Sequence, residues 1–151
     1  MFEILMYLFE SYFNAGTFPE PEKLSIKLTA AGFEEDDISH ALNWLSGLSL
    51  LNYSDYPLII NQSGLRSFAK LEIQCISLEG LQFITFLEQS HMISPVEREM
   101  IIDRAVAFGR NALPLDRVKL IALMVLWKQH EELDPLLVEE LLTPANSAQL
   151  H

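Results

Sequence analysis

The chain has 151 residues, half of them apolar, and a formal net charge of −11. This size and apolar content suit one domain, or two small ones that share a core, and they exclude an intrinsically disordered chain. The charge argues against general adhesion to nucleic acid or anionic lipid. The single cysteine, Cys75, excludes an internal disulfide, and the longest apolar run, residues 120–127, is too short to span a bilayer. We therefore expect a cytoplasmic protein that does not bind membranes.

The first thirteen residues predict a helix that is buried on most of its sides. Ten of them are large and apolar. The polar positions that follow the helical period, Glu3, Tyr7, Glu10 and Asn14, share one narrow stripe. The chain is therefore expected to begin with a core helix and no disordered leader.

Two further helices are predicted before residue 52. Leu24 and Leu28 have helical spacing in a short segment that follows Pro21 and stops at Gly32. Four carboxylates at residues 34–37 then precede an apolar pattern that continues to residue 48, and acidic side chains suit a helix N-terminus. Residues 52–62 form a connection in which residues 56–60 are the one plausible strand.

The second half of the chain contains clearer helix signals. A helix is expected between about Gly64 and Gln74, and another after Ser77. The sequence Ser94-Pro95-Val96-Glu97 has the residues of a capping box with proline at the first helical position. Residues 115–130 are apolar nearly all round and predict a central buried helix, and a last helix is expected from residue 134 to residue 142.

Together these patterns predict an all-α fold of about six to seven helices with at most one short strand near residues 56–60. We expect an N-terminal three-helix subdomain at residues 1–52, a C-terminal helical bundle at 62–143 and a loose tail at 144–151. A single compact domain is the alternative, because neither half ends in a clear polar break.

Residues 24–45 allow three interpretations. They could form a helix-turn-helix with Gly32 in the turn. The second helix would then present acidic residues to phosphates, so a structural helical hairpin is favoured. The sequence Ala31-Gly32-Phe33 with Ile38 also resembles a ubiquitin-associated three-helix module, which binds proteins.

Sequence motifs for catalysis or metal binding are weak. Glu88 and His91 have the spacing of a di-iron ligand pair, but a second such pair does not occur in the sequence. A histidine near the C-terminus of a helix is the simpler interpretation. The sequence contains neither a glycine-rich phosphate loop nor a nucleophile elbow. We predict no cofactor, no metal and no catalytic residues, although an enzyme whose groups converge from distant positions stays open.

Charge is distributed unevenly along the chain. Residues 94–128 sum to +2, against −13 for the remainder. This segment supplies candidate residues for binding an anion or an acidic partner: Arg98, Arg104, Arg110, Arg117 and Lys119. A candidate acidic face for a basic partner consists of Glu34, Glu35, Asp36 and Asp37. The simpler interpretation of both sets is solvated helix faces with local ion pairs.

The chain resembles the bacterial Smg family in several segments that occur in order along nearly its whole length. These are residues 1–10 (MFEILMYLFE), 31–33, 37–38 and 41–45, 86–89 (FLEQ), 98–105 (REMIIDRA), 124–127 (MVLW) and 150–151. It departs from the family pattern between residues 58 and 74. The resemblance implies no assigned activity and no catalytic residues. Family members are often encoded near a DNA-processing protein and a topoisomerase, which implies a link to DNA metabolism.

We therefore predict a non-enzymatic adaptor or regulator that binds another protein, whose identity the sequence does not reveal. The alternative is a nucleic-acid-binding protein that uses the basic region at residues 94–128, with the acidic remainder setting its orientation. The net charge disfavours this alternative.

Overall fold

The computed structural model describes residues 1–56, 66–109, 111–130 and 132–144. Within these residues it contains eight α-helices, so the expectation of six to seven was too low. The two shortest helices, of seven and six residues, are stabilised by packing against longer neighbours, because isolated helices of this length are unstable in water. The helices are α1 (Phe2–Tyr12), α2 (Leu24–Ala30), α3 (Glu35–Leu50), α4 (Lys70–Cys75), α5 (Leu78–Gln89), α6 (Pro95–Val106), α7 (Leu115–Gln129) and α8 (Pro135–Leu142).

Helix α1 is a core helix, as its sequence predicts. Its buried residues are Ile4, Leu5, Leu8 and Phe9, which have the spacing of one helix face. A short 3-10 turn continues the helix and ends at Gly16, which has a φ of 76°. Only glycine adopts this left-handed conformation at no steric cost, so the chain can leave the helix there.

Helices α2 and α3 form a helical hairpin beside α1. The turn between them contains Gly32 with a φ of +96°, and the Phe33 amide donates to the Leu28 carbonyl at 3.2 Å. The Phe33 ring meets Tyr7 of α1 edge to face, with 5.5 Å between the ring centroids. The predicted hairpin is therefore present, and it is joined to the first helix by an aromatic contact.

Helix α7 is the centre of the molecule. All ten residues from 118 to 127 are buried, including Lys119, and α7 contacts α1, α3, α5, α6 and α8. It lies close to α5 at Gly80, where a Cβ atom would lie 2.8 Å from Cγ2 of Val118. A helix whose middle ten residues are all buried agrees with the predicted central helix.

Helix starts agree with the local sequence signals. The Ser94 hydroxyl accepts from the Glu97 amide at 3.1 Å, while the Glu97 carboxylate accepts from the Ser94 amide at 2.7 Å. This is the capping box that the sequence predicts for α6. Helix α4 differs, since it begins at Lys70 and residues 66–69 are not helical. Its N-cap is Ala69, whose amide donates to the Glu72 carboxylate at 2.8 Å.

Two regions of the prediction lie partly outside the described residues. The possible strand at 56–60 falls on residues 57–60 and the tail at 144–151 on residues 145–151, which the structure does not describe. The described parts of the chain contain no strand, only an isolated parallel bridge between Ile76 and Leu113. The contacts of α1 and α3 with α7 join the N-terminal helices to the C-terminal ones. The division at residues 52–62 stays a prediction.

The residues within the described ranges include no helix that combines the length and the apolar content required to cross a membrane.

Candidate functional site

Arg98 is a buried member of an ion-pair network between α4, α5 and α6. Its side chain is 7% exposed. Its Nη1 atom donates to both Glu88 carboxylate oxygens at 2.8 and 2.7 Å, and its Nε atom donates to Glu99 at 2.7 Å. Arg98 is thus enclosed by two carboxylates of the same chain, which already occupy the positions that an external anion would take.

Arg66 extends this network to α4. It donates to the two Glu72 carboxylate oxygens at 2.7 and 2.8 Å and contacts Glu99 at 2.6 Å. The hydrogen bonds from Arg66 lower the pKa of Glu72, and the Ala69 amide acts in the same direction. The hydrogen bond with Glu72 raises the pKa of Arg66. The five residues therefore connect three helices through charge-assisted hydrogen bonds.

We expect Glu72→Gln to reduce stability at neutral pH by about 1.5 kcal/mol, because a charge-assisted bond to Arg66 is lost. A carboxylate with a lowered pKa stabilises the fold above its ordinary titration range, and this contribution disappears as the pH falls through the lowered pKa. The difference between the variant and the native protein should therefore shrink on acidification. Urea unfolding at a series of pH values from neutral downward measures it.

The control for this prediction is Glu79→Gln, on an exposed residue of α5. It should change stability by less than about 0.5 kcal/mol at neutral pH. A constant Glu72→Gln effect across the acidic range would contradict the assignment of the effect to ionisation.

Arg104 packs on α3 at the other end of α6. Its Nη1 atom donates to the Trp44 carbonyl at 3.1 Å, and the Trp44 indole N–H donates to the Arg104 carbonyl at 3.0 Å. Asp103 accepts from the guanidinium at 2.9 Å. The guanidinium lies against Gly47, where a Cβ atom would collide with it. Arg104 therefore links α6 to α3 through hydrogen bonds.

Arg117 and Lys119 are the two candidate residues that the structure brings together. Both line a groove of about 460 Å³ between α1, the start of α7 and the end of α8. The Lys119 side chain is buried and donates to the Thr143 carbonyl at 3.2 Å. The Arg117 guanidinium lies 4.2 Å from the centre of the Phe2 ring and is exposed. Arg117 is the one exposed side chain among the four described candidate cations, since Arg110 lies outside the described residues.

The candidate acidic face is at the N-terminus of α3. Glu34 is the N-cap residue, and Glu35, Asp36 and Asp37 form the first turn. Glu34, Glu35 and Asp36 are exposed and Asp37 is half-buried. At the N-terminus of α3 these carboxylates interact favourably with the helix dipole. This interaction explains why the residues are acidic, and no binding partner is needed to explain it.

A cluster of titratable side chains lies where α6 starts and α7 ends. The buried Glu97 carboxylate bonds to Nε2 of His130. Burial raises the pKa of Tyr53 to about 12, and the charge of Glu97 acts in the same direction. This arrangement joins the start of α6 to the end of α7.

Within the described ranges, no three histidine, cysteine or carboxylate side chains are placed to hold a metal ion. Glu88, half of the Glu-x-x-His pair, is bound by Arg98.

An apolar groove between α4 and α5, here called the α4–α5 groove, was not predicted from the sequence. It has a volume of about 460 Å³. Leu78 is 70% exposed there and Phe86 49%, and Ile73 is similarly exposed. Among the described residues, its lining contains no charged side chain and consists of Phe68, Ile73, Leu78, Leu81, Gln82, Thr85, Phe86 and Gln89.

One feature of the sequence could have indicated this groove: helix α5 has more apolar residues than a single buried helix face requires. In α5 the buried residues Leu81, Ile84 and Leu87 already form a core face. Leu78 and Phe86 lie eight residues apart and fall off that face. Apolar residues that the core does not need indicate a contact surface.

The chain matches, over residues 1–151, the family model described as Protein of unknown function (DUF494). It is 41% identical to the Protein Smg homolog of Nitrosomonas europaea over 100% of both chains. It is 44% identical to the homolog of Aromatoleum aromaticum over 95% of this chain and 93% of that one. The homolog of Bordetella pertussis is 42% identical over 100% of both. No solved structure matches the chain. Full-length similarity to these proteins shows that the chain belongs to the bacterial Smg family.

Proposed function

We propose that this protein is a non-enzymatic cytoplasmic adaptor or regulator that acts by binding another protein. The observation that carries the proposal is the α4–α5 groove, where Leu78 and Phe86 expose large apolar side chains next to Ile73. Contiguous exposed apolar surface costs solubility and is characteristic of interaction sites. An uncharged groove on a chain of net charge −11 is a surface on which a protein partner can bury area without desolvating ions.

The nucleic-acid alternative has less support. Arg98 and Lys119 are buried, and Arg104 is bound to Trp44 and Asp103. Phosphate binding requires cations that can reach the backbone of the nucleic acid, and its strength increases with the number of phosphates neutralised. In the described part of region 94–128, the exposed Arg117 and the half-buried Lys128 could supply only two such contacts.

Affinity purification of the tagged protein from its own cells after crosslinking tests the proposal. The eluates are prepared with and without nuclease, because the family resemblance implies a link to DNA metabolism. A stoichiometric protein partner that survives nuclease is the expected result. Partners that are lost with nuclease would favour the alternative, and Arg117→Glu would then be expected to weaken the association. Absence of any enriched protein, or substrate turnover by the purified chain, would overturn the adaptor function.

A further inference from the structure

We propose that the α4–α5 groove binds a single amphipathic helix of the partner protein, with an apolar face along the groove and basic residues on its flanks. This inference rests on the proposed function and names the chemistry of the partner at that site.

The walls of the groove are too open for a small molecule. Leu78, Phe86 and Gln82 are exposed, while Leu81 forms the buried floor. Sites for small ligands bury most of the ligand surface between concave walls. A groove with exposed walls covers only one side of its occupant, which suits a helix whose other side is in water.

The lining residues of α5 follow the direction of the helix. Leu78, Gln82, Phe86 and Gln89 are separated by four, four and three residues, so they form one stripe. Ile73 and Phe68 form the opposite wall. Helix α5 has 12 residues, which corresponds to a length of about 18 Å. A partner helix of about three turns would match this length with apolar residues at every third or fourth position.

The area is too small for a second copy of the chain. Stable interfaces use about 20–30 residues on each side, whereas 8 of the described residues line this groove. Two copies would also approach with a net charge of −11 each, and this repulsion opposes self-association. One inserted helix needs less area, because it fills a groove rather than covering a face.

The charges around the groove select a basic helix. The lining residues that the structure describes include no ionisable side chain, so an apolar face can enter the groove without burying an unpaired charge. Arg66 lies 5.4 Å from the centre of the Phe68 ring, but its charge is balanced by Glu72 and Glu99. Glu79 is exposed on α5 beside this stripe, and the molecule as a whole is strongly acidic. Lysine or arginine on the flanks of the occupant would be attracted, and an acidic helix would be repelled.

Fluorescence anisotropy with three labelled synthetic peptides of about 14 residues tests the proposal. One is an amphipathic helix with leucine on one face and lysine on the other. The second has the same leucine positions with glutamate in place of lysine. The third is a scrambled version of the first. We expect at least tenfold tighter binding of the basic amphipathic peptide than of the other two. Equal binding of all three would overturn the proposal.

Variants of the full chain locate the binding site. Phe86→Ser and Leu78→Ser should each weaken binding of the basic peptide at least fivefold. The matched control, Ile26→Ser, replaces an apolar side chain on α2 that is 83% exposed and should leave binding unchanged. Circular dichroism establishes that each variant is folded.

A photo-crosslinking residue at Gln82 provides a second readout without removing an apolar contact. Crosslinks to the basic peptide are expected, and crosslinks to a second copy or to residues 57–65 of the same chain would overturn the proposal.

The same variants in the cellular purification separate this inference from the proposed function. If Phe86→Ser and Leu78→Ser lose the nuclease-resistant partner while Ile26→Ser keeps it, both are supported. If all three variants keep the partner, the groove is not the site and the adaptor function stands. If the native protein has no partner, the proposed function itself fails.

Discussion

Replacing Arg98 with alanine should lower the free energy of unfolding by about 3 kcal/mol. The substitution leaves the largely buried Glu88 carboxylate without its cation, and it leaves Glu99 bonded to Arg66 but no longer to Arg98. Uncompensated charge in a site that excludes water costs more than the pair itself contributes. Urea unfolding at neutral pH, followed by circular dichroism, measures the change as a lower midpoint.

Lys23→Ala is the matched control for this prediction. Lys23 also forms an ion pair, with Glu20 at 3.1 Å, but its side chain is 80% exposed. Exposed pairs contribute roughly 0–1 kcal/mol, so this variant should be close to native stability. If Arg98→Ala were as mild as the control and instead abolished binding to a nucleic acid or an acidic protein, Arg98 would be a binding residue as the sequence suggested.

The capping box at Ser94 could be predicted from the sequence, whereas the ion-pair partners of Arg98 could not. The capping box of α6 depends on residues three positions apart, and the sequence contains all of it. The partners of Arg98 and Arg66 are set by the packing of helices, since Arg66 reaches Glu99 across 33 positions. A sum of charges over residues 94–128 counts these cations without showing that folding encloses them.

The helices themselves could be predicted because their sequence patterns, like the capping box, are local. The buried run of α7 and the start of α1 are local apolar patterns, and both were confirmed. The start of α4 was less predictable than its existence, because a helix of six residues depends on packing rather than on a long periodic pattern. The isolated β-bridge between Ile76 and Leu113 lies between α4 and α5 in the chain. Its two residues are far apart in sequence, so the local pattern does not predict it.

The α4–α5 groove could not be predicted from the sequence alone. Helical periodicity assigns Leu81 and Ile84 to a core face, but it does not show whether Leu78 and Phe86 are covered by another part of the chain. Sequence periodicity identifies helix faces, but it does not show which apolar face remains after the neighbouring helices have packed. The candidate interaction site therefore needed the arrangement of α4 against α5.

Replacing Trp127 with alanine should destabilise the protein by about 3–5 kcal/mol, the cost of a large cavity in a packed core. Trp127 is buried near the end of α7, and its ring contacts three rings of the N-terminal region. The centroid distances are 5.5 Å to Phe9, 6.1 Å to Phe13 and 4.7 Å to Phe18. The exposed Leu136 of α8 provides the control, because Leu136→Ala should change stability by less than about 0.5 kcal/mol.

The Trp127→Ala variant also tests whether the predicted subdomains unfold together. Trp44 of α3 becomes the single tryptophan, and its fluorescence then reports on the N-terminal helices. Because the rings around Trp127 join α1 to α7, we expect the Trp44 transition and the circular dichroism transition to coincide at a lower urea concentration than in the native protein. A Trp44 transition at the native midpoint, with an earlier loss of helix elsewhere, would show that residues 1–52 unfold as a separate unit. The aromatic contacts would then be an interface between two domains rather than part of one cooperative core.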